Sequence, residues 1–138
     1  MTQQRLVAHT ALTSAHAERA AHLLDAPLLC FDLDDELTQL RAERPYVDGD
    51  RNAKTLVKAA AFRLVLVALK AGARFDEDDP RGEVSVLVRR GRVSLQVGGE
   101  STDVGPGQVA AIQAGNHWSA VAAEDSLVIL TINWPPEP

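Results

Sequence analysis

The chain has 138 residues, the length of one domain with a single hydrophobic core. Its apolar content of 46% and charged content of 24% are ordinary for a globular protein in water. The net charge of −5 argues against nucleic acid and against anionic membrane surfaces as partners, because both are bound through a basic face.

The single cysteine, Cys30, cannot form an internal disulfide, so a reducing compartment is expected. Because Cys30 lies in an apolar run, it is expected to be buried and unreactive. The first residues lack a basic region followed by an apolar core, and no apolar run approaches the ~20 residues that span a bilayer. Together these features predict a cytoplasmic protein.

Residues 1–52 are predicted to form an N-terminal segment with two short helices that packs on the rest of the domain. The first helix begins at Thr13 or Ser14, whose side-chain oxygens can cap free backbone N–H groups, and runs to about Leu24. Pro27 prevents it from continuing.

Leu28–Leu33 is predicted to be a buried strand because it is mostly apolar. Asp32 or Asp34 then caps a second helix, which Pro45 ends. The apolar stripe of this helix consists of Leu33, Leu37 and Leu40.

Two strands follow a predicted loop at Tyr46–Asn52. Ala53–Ala59 and Phe62–Lys70 are apolar on both faces, so each is expected to be covered on both sides, by the domain interior and by a second layer or a second subunit. The apolar edge or face that a lone small barrel would leave here predicts a homodimer. Ala71–Asp79 is predicted to be a loop, and it contains an acidic cluster, Asp76–Asp79.

The second half of the chain alternates short strands with glycine-rich turns. The alternation of Val93, Leu95 and Val97 with polar residues has the period of a half-buried strand. Gly98-Gly99 and Gly105-Pro106-Gly107 are turn signals. This pattern predicts a compact antiparallel sandwich or barrel. The other predicted strands are Val84–Val88, Val109–Ile112 and Ser126–Ile132.

This stretch resembles the cupin superfamily, whose two motifs are G-x5-H-x-H-x3,4-E-x6-G and G-x5-P-x-G-x2-H-x3-N. Gly72 and Gly91 bracket the first motif, and Gly107 and Gly115 take their places in the second. The resemblance covers roughly Ala53–Ile132. It implies a mainly β fold, an antiparallel jelly-roll β-barrel over residues 53–134 preceded by the short helical segment.

The resemblance also implies a metal site of three imidazoles and a carboxylate, but this chain departs from it at every ligand place. The residues at those places are Asp78, Pro80, Val84 and Trp118, with His117 one position early and Ala122 at the asparagine place. We therefore expect no tightly bound transition metal and no cofactor.

The candidate binding pocket lies where the metal would be, and it consists of Asp78, Glu83, Val84, Val86, His117 and Trp118. Val84 and Val86 share the inward face of their strand, so Glu83 points outward unless a bulge re-aims it. Trp118 is either a core residue or one wall of a pocket, against Val84 and Val86. His117 is either exposed or an acid–base group.

Two functions remain open from the sequence. The first is a non-enzymatic, metal-free cupin that binds a small molecule or serves as an assembly module. The alternative is a cupin enzyme of the dioxygenase or isomerase type, with an atypical metal site or with His117 as acid or base. A fold of this kind hosts many activities, so the site has to decide between them.

Overall fold

Two antiparallel β-sheets and two short helices make up the computed structural model, which describes residue 24, residues 26–77 and residues 81–134. The helices are α1 (Leu33–Ala42) and α2 (Arg44–Val47). The strands are β1 (Arg51–Lys58), β2 (Phe62–Leu69), β3 (Arg74–Glu77), β4 (Glu83–Arg90), β5 (Val93–Val97), β6 (Glu100–Val104), β7 (Val109–Ile112), β8 (Trp118–Ala122) and β9 (Ser126–Asn133). Within this part of the chain, no helix has the length and apolar character needed to cross a membrane.

The strands form a five-stranded sheet 1, in the order β1-β2-β9-β4-β7, and a four-stranded sheet 2, in the order β3-β8-β5-β6. Neighbouring strands are antiparallel throughout both sheets. From β2 onward the chain passes repeatedly between the sheets, which is the connectivity of a jelly roll. The predicted fold class, mainly β with a short helical segment in front, is confirmed.

The barrel is not closed, because no strand of sheet 1 pairs with a strand of sheet 2 in the described residues. On one side the edge strands β1 and β3 are bridged by a side chain, since Arg51 Nη1 donates to the carbonyl of Arg74 at 2.9 Å. On the other side the edge strands β6 and β7 flank an open groove.

The main core lies between the two sheets and consists of alternate residues from their facing sides. In sheet 1 the inward row formed by Val65, Leu130 and Val86 is fully buried, and the register places these residues directly across from one another. Sheet 2 contributes Leu95 and Ala120, which are likewise paired. This period of two is the one that the sequence predicted for β4 and β5.

A second apolar cluster covers the outer face of sheet 1, where α1 and α2 pack. Leu37, Leu40 and Tyr46 from the helices are buried against Leu66 and Leu127 from the strands. The two faces of β2 are therefore both covered, as its apolar sequence predicted.

The N-terminal cap of α1 is Asp32, one of the two residues that the sequence predicted. The Oδ1 atom of Asp32 accepts a hydrogen bond from the backbone N–H of Asp35 at 3.0 Å. The prediction that Pro45 ends this helix is wrong, because α1 already ends at Ala42. Pro45 instead lies in the first turn of α2, where its missing N–H would have no intrahelical acceptor.

The predicted buried strand at Leu28–Leu33 is also wrong. Residues 28–32 are not in a strand, and the side chain of Leu28 is 80% exposed. Cys30 is exposed as well, which contradicts its expected burial. The apolar residues of this segment alternate, so that only Leu29, Phe31 and Leu33 pack on the outer face of sheet 1. The predicted first helix, which ends near Leu24, lies outside the described residues.

Three strands of sheet 2 were missed. Arg74–Glu77 falls in the predicted loop Ala71–Asp79, and neither Glu100–Val104 nor Trp118–Ala122 was assigned to any element. The sequence of β3 is polar except for Phe75, which faces the interior, so it shows little alternation of apolar and polar residues. The predicted loop Tyr46–Asn52 was too long, because β1 begins at Arg51.

Candidate functional site

Three of the six residues in the sequence-predicted pocket lie in the core between the sheets. Val84, Val86 and Trp118 are 5%, 0% and 5% exposed and belong to one buried cluster. The ring of Trp118 meets that of Phe75 edge to face, with 5.6 Å between centroids. At this level the interior is therefore filled by apolar side chains.

The other predicted residues lie elsewhere. Glu83 and His117 are exposed, and the regular register of β4 directs Glu83 to the outer face, since it immediately precedes the inward Val84. His117 borders a depression of about 260 Å³ on the outside of sheet 2, together with Arg74 and Asp76. Asp78 lies outside the described residues.

The described residues do not fit the metal site that the sequence resemblance implies. At two of the ligand places, Val84 and Trp118, the side chains have no atom that binds a cation. No group of three or more His, Cys, Asp or Glu side chains that could share a metal ion occurs in residues 26–77 or 81–134. We derive no chemistry from a metal here.

A cavity of about 430 Å³ lies between the edge strands of the two sheets, and we name it the β6–β7 groove and define it by its lining residues. The lining residues come from β5, β6, β7 and the two adjoining turns. They are Leu95, Val97, Gly98, Gly99, Glu100, Ser101, Thr102, Ala110, Ala111, Ile112, Gln113 and Asn116. A second cavity of about 410 Å³ shares Thr102 and Ala110 and continues along the same pair of strands past Asp103.

The register of β5 and β6 gives this groove an apolar floor and a polar rim. Glu100 is directly opposite Val97, and Thr102 is directly opposite the buried Leu95, so both polar residues are on the interior side of sheet 2. Both are nevertheless exposed, because among the described strands β6 is at the edge of its sheet. On the facing strand, Ala110 and Ile112 take the inward positions.

Charge in the groove is of one sign. The linings of the two cavities contain the carboxylates of Glu100 and Asp103 and no lysine, arginine or histidine. The amides of Gln113 and Asn116 add hydrogen-bonding groups at one end, where the Asn116 side chain donates to the Gln113 carbonyl at 2.9 Å.

The sequence interpretation missed this groove, although one signal of it was present. Residues 100–104 read ESTDV, and four of these five residues are exposed in the structure. A strand with polar residues at its inward positions 100 and 102 must lie at a sheet edge or line a cavity, since it has almost nothing to bury.

No protein-family model and no curated protein matches the chain. Solved structures do match it. A conserved protein of unknown function from Streptococcus pyogenes is 18% identical at a TM-score of 0.65, over 88% of this chain and 100% of that one. A cupin superfamily protein from Desulfitobacterium hafniense is 13% identical at a TM-score of 0.59, over 62% of this chain and 78% of that one. The chain has the cupin fold.

A further structure with the cupin fold is a salicylate 1,2-dioxygenase mutant from Pseudoaminobacter salicylatoxidans. It is 17% identical at a TM-score of 0.62, and the match covers 72% of this chain and 32% of the dioxygenase chain. The similar structures thus include an enzyme and a protein of unknown function, and the likeness extends to the fold alone.

The glycine frame through which the sequence resembled the cupins has a conformational reason. Gly72, Gly91, Gly107 and Gly115 all have positive φ angles, of 88°, 85°, 80° and 96°. Gly91 is also sterically required, because a Cβ atom there would lie 2.2 Å from the Oγ atom of Ser126. These glycines are therefore explained by the geometry of the turns, which the fold needs whether or not a metal site is present.

Proposed function

We propose that this cupin-fold protein binds a small molecule in the β6–β7 groove. The observation that carries the proposal is the pairing of an apolar floor with a carboxylate rim in a cavity of about 430 Å³. Pockets for small ligands commonly have volumes of ~300–1,000 Å³, with an apolar lining and a few polar groups.

The chemistry of the groove favours an amphipathic ligand that has an apolar body and an ammonium or hydroxyl group. Leu95, Val97 and Ile112 provide the surface for the apolar body. The Glu100 carboxylate accepts hydrogen bonds and attracts a cation, whereas it repels an anionic ligand. The free edges of β6 and β7 add backbone N–H and C=O groups, because each strand pairs on one side only.

Three probes that share one ring test this proposal: benzylamine, benzyl alcohol and benzoate. We expect benzylamine to bind most tightly and benzoate least, with backbone amide resonances shifting along β6 and β7 in titrations followed by NMR. Ala110→Phe fills the groove from the facing strand and should abolish these shifts. Ala71→Phe, at an exposed turn position, is the matched control and should leave them unchanged.

Glu100→Gln tests the contribution of the Glu100 charge to binding, because it removes the charge and keeps the shape of the cavity. This variant should lose the preference for benzylamine over benzyl alcohol, by about tenfold for the loss of one charge-assisted hydrogen bond. Equal binding of the three probes, or binding that Ala110→Phe does not affect, would rule out this groove as the site.

As a second candidate function we propose assembly as a homodimer through the outer face of sheet 1. The outward residues of β4 run from Glu83 through Ser85 to Leu87, with an acid at one end. At the other end the register shifts between Val88 and Arg90, and the exposed base Arg89 lies there with its Nη2 atom 3.7 Å from Asp34 Oδ1. Val109, opposite Leu87 on the neighbouring strand, is 62% exposed. Two copies related by a twofold axis would place Glu83 of each opposite Arg89 of the other, around an apolar centre.

Charge exchange tests the dimer. Glu83→Arg and Arg89→Glu should each weaken association in sedimentation equilibrium at micromolar concentration, and the double variant should restore it. Leu87→Asp should yield monomers. A monomer mass for the unmodified protein, or failure of the double variant to recover association, would contradict this mode of assembly.

A further inference from the structure

One charged side chain lies inside the sandwich. Arg63 takes an inward position of β2, in the same alternation as Val65, Val67 and Leu69, and it is 3% exposed. It is the only charged residue among those that the structure describes as buried. The register places it directly opposite Ile132, which also faces the interior.

One nitrogen of the Arg63 guanidinium holds the β1–β2 turn. Nη1 donates to the carbonyl oxygens of Ala59 and Phe62, the latter at 3.1 Å. On the opposite edge, formed by Nε and Nη2, the Nε atom is buried and makes no hydrogen bond within the described part of the chain. This edge presents two parallel N–H groups, the arrangement that matches the two oxygens of a carboxylate.

A second buried donor belongs to Trp134, whose ring lies next to the Arg63 guanidinium. The ring of Trp134 stacks on the guanidinium, with Cζ of Arg63 5.0 Å from the ring centroid. Trp134 is 4% exposed, and its Nε1–H has no acceptor among the described residues. The indole N–H edge faces Gly82, where an added Cβ atom would lie 2.9 Å from Nε1.

Within the described residues, no acid lies in an ion pair with this guanidinium. In the register of β1 and β2, Arg63 is directly opposite another cation, Lys58, and neither forms an ion pair in residues 26–77 or 81–134. Burial lowers the pKa of the Arg63 guanidinium, and burial followed by repulsion from Arg63 lowers the pKa of Lys58. Unpaired buried charge and unpaired buried donors both destabilise a fold, so an anion bound here would relieve both.

We propose that the Nε–Nη2 edge of Arg63, with Trp134 beside it, is a binding site for the carboxylate of a small organic acid. This site is separate from the β6–β7 groove, because Arg63 lies on β2 and Trp134 directly follows β9. Its anionic ligand is also opposite in charge to the one that the groove favours.

Sodium acetate is the probe that tests the site in the intact protein. Acetate should shift the Trp134 indole N–H resonance in a saturable way, and it should raise the melting temperature by about 5 °C at ten times its dissociation constant. Acetamide has the same shape without the charge, and sodium chloride matches the ionic strength; neither should reproduce the effect.

Arg63→Lys keeps a positive charge but removes the two-pronged edge, and it should weaken acetate binding at least tenfold. Trp134→Phe keeps the stacked ring, removes the second donor and should weaken acetate binding about tenfold, as read from the melting temperature. Arg74→Lys, on the exposed outer face of sheet 2, is the control and should bind acetate as the unmodified protein does.

The absence of a saturable response to acetate would overturn the proposal, because it would mean that the guanidinium edge is inaccessible or already paired. An unchanged affinity in Arg63→Lys would overturn it equally. Neither result depends on ligand binding in the β6–β7 groove. A failure of this proposal would therefore leave the proposed function untouched, and the reverse also holds.

Discussion

Replacing Trp118 with alanine should remove the largest side chain at the level where a cupin metal would lie. The indole is 5% exposed and packs edge to face on Phe75. Truncating a buried aromatic residue typically costs ~3–5 kcal/mol, because its burial is lost and a cavity remains. For a domain of this size, that cost corresponds to a fall of about 12–20 °C in melting temperature.

The assay is urea unfolding followed by circular dichroism. The free energy of unfolding is taken from the midpoint urea concentration, with the dependence of that free energy on urea concentration held constant. Val121→Ala is the matched control, since Val121 lies on the same strand, faces outward and is 36% exposed. It should cost less than ~1 kcal/mol. A loss below ~1 kcal/mol in Trp118→Ala would refute the reasoning, because the indole would then line a space that tolerates its removal.

Two further predictions concern turns and pH. Gly91→Ala should destabilise the fold at least twice as much as Gly72→Ala in the same assay. The two glycines have similar φ angles, of 85° and 88°, so the backbone strain of the substitution is alike. Only at Gly91 does the new Cβ atom meet Ser126, at 2.2 Å, whereas nothing lies within 4 Å of a Cβ atom at Gly72. A hydrogen bond from Arg90 lowers the pKa of Asp34 below its ordinary value of 3.8, so its contribution to stability is present above that pH and is lost as pH falls through the lowered pKa. The difference in unfolding free energy between the unmodified protein and Asp34→Asn should therefore be constant near neutral pH and vanish in strong acid; an unchanged difference at low pH would contradict it.

The sequence by itself determined most of the strands and the fold class. In β4 and β5 the inward residues alternate with outward ones, whereas β9 is a continuous apolar run that is buried on both faces. The glycines at 72, 91, 107 and 115 could be recognised because turns with positive φ admit few other residues. The inward parity of Val84 and Val86, and therefore the outward Glu83, followed from the same alternation.

Short polar strands were beyond this reasoning, because their identity depends on a neighbour. Among the described residues, Arg74–Glu77 pairs only with Trp118–Ala122, so its assignment as a strand depends on that one neighbour. Trp118–Ala122 pairs on its other side with Val93–Val97. The solvent exposure of Cys30 and Leu28 likewise depends on which face of their segment meets sheet 1. An apolar run alone does not contain that information.

The candidate sites were decided by tertiary structure alone. The β6–β7 groove exists because two edge strands from different sheets fail to pair, and neither strand encodes the distance to the other. The sequence shows Arg63 as the one charged residue within an otherwise apolar strand, Phe62–Leu69. Its burial is fixed only when Trp134, 71 residues further along the chain (134 − 63), stacks on it and the sandwich removes it from water.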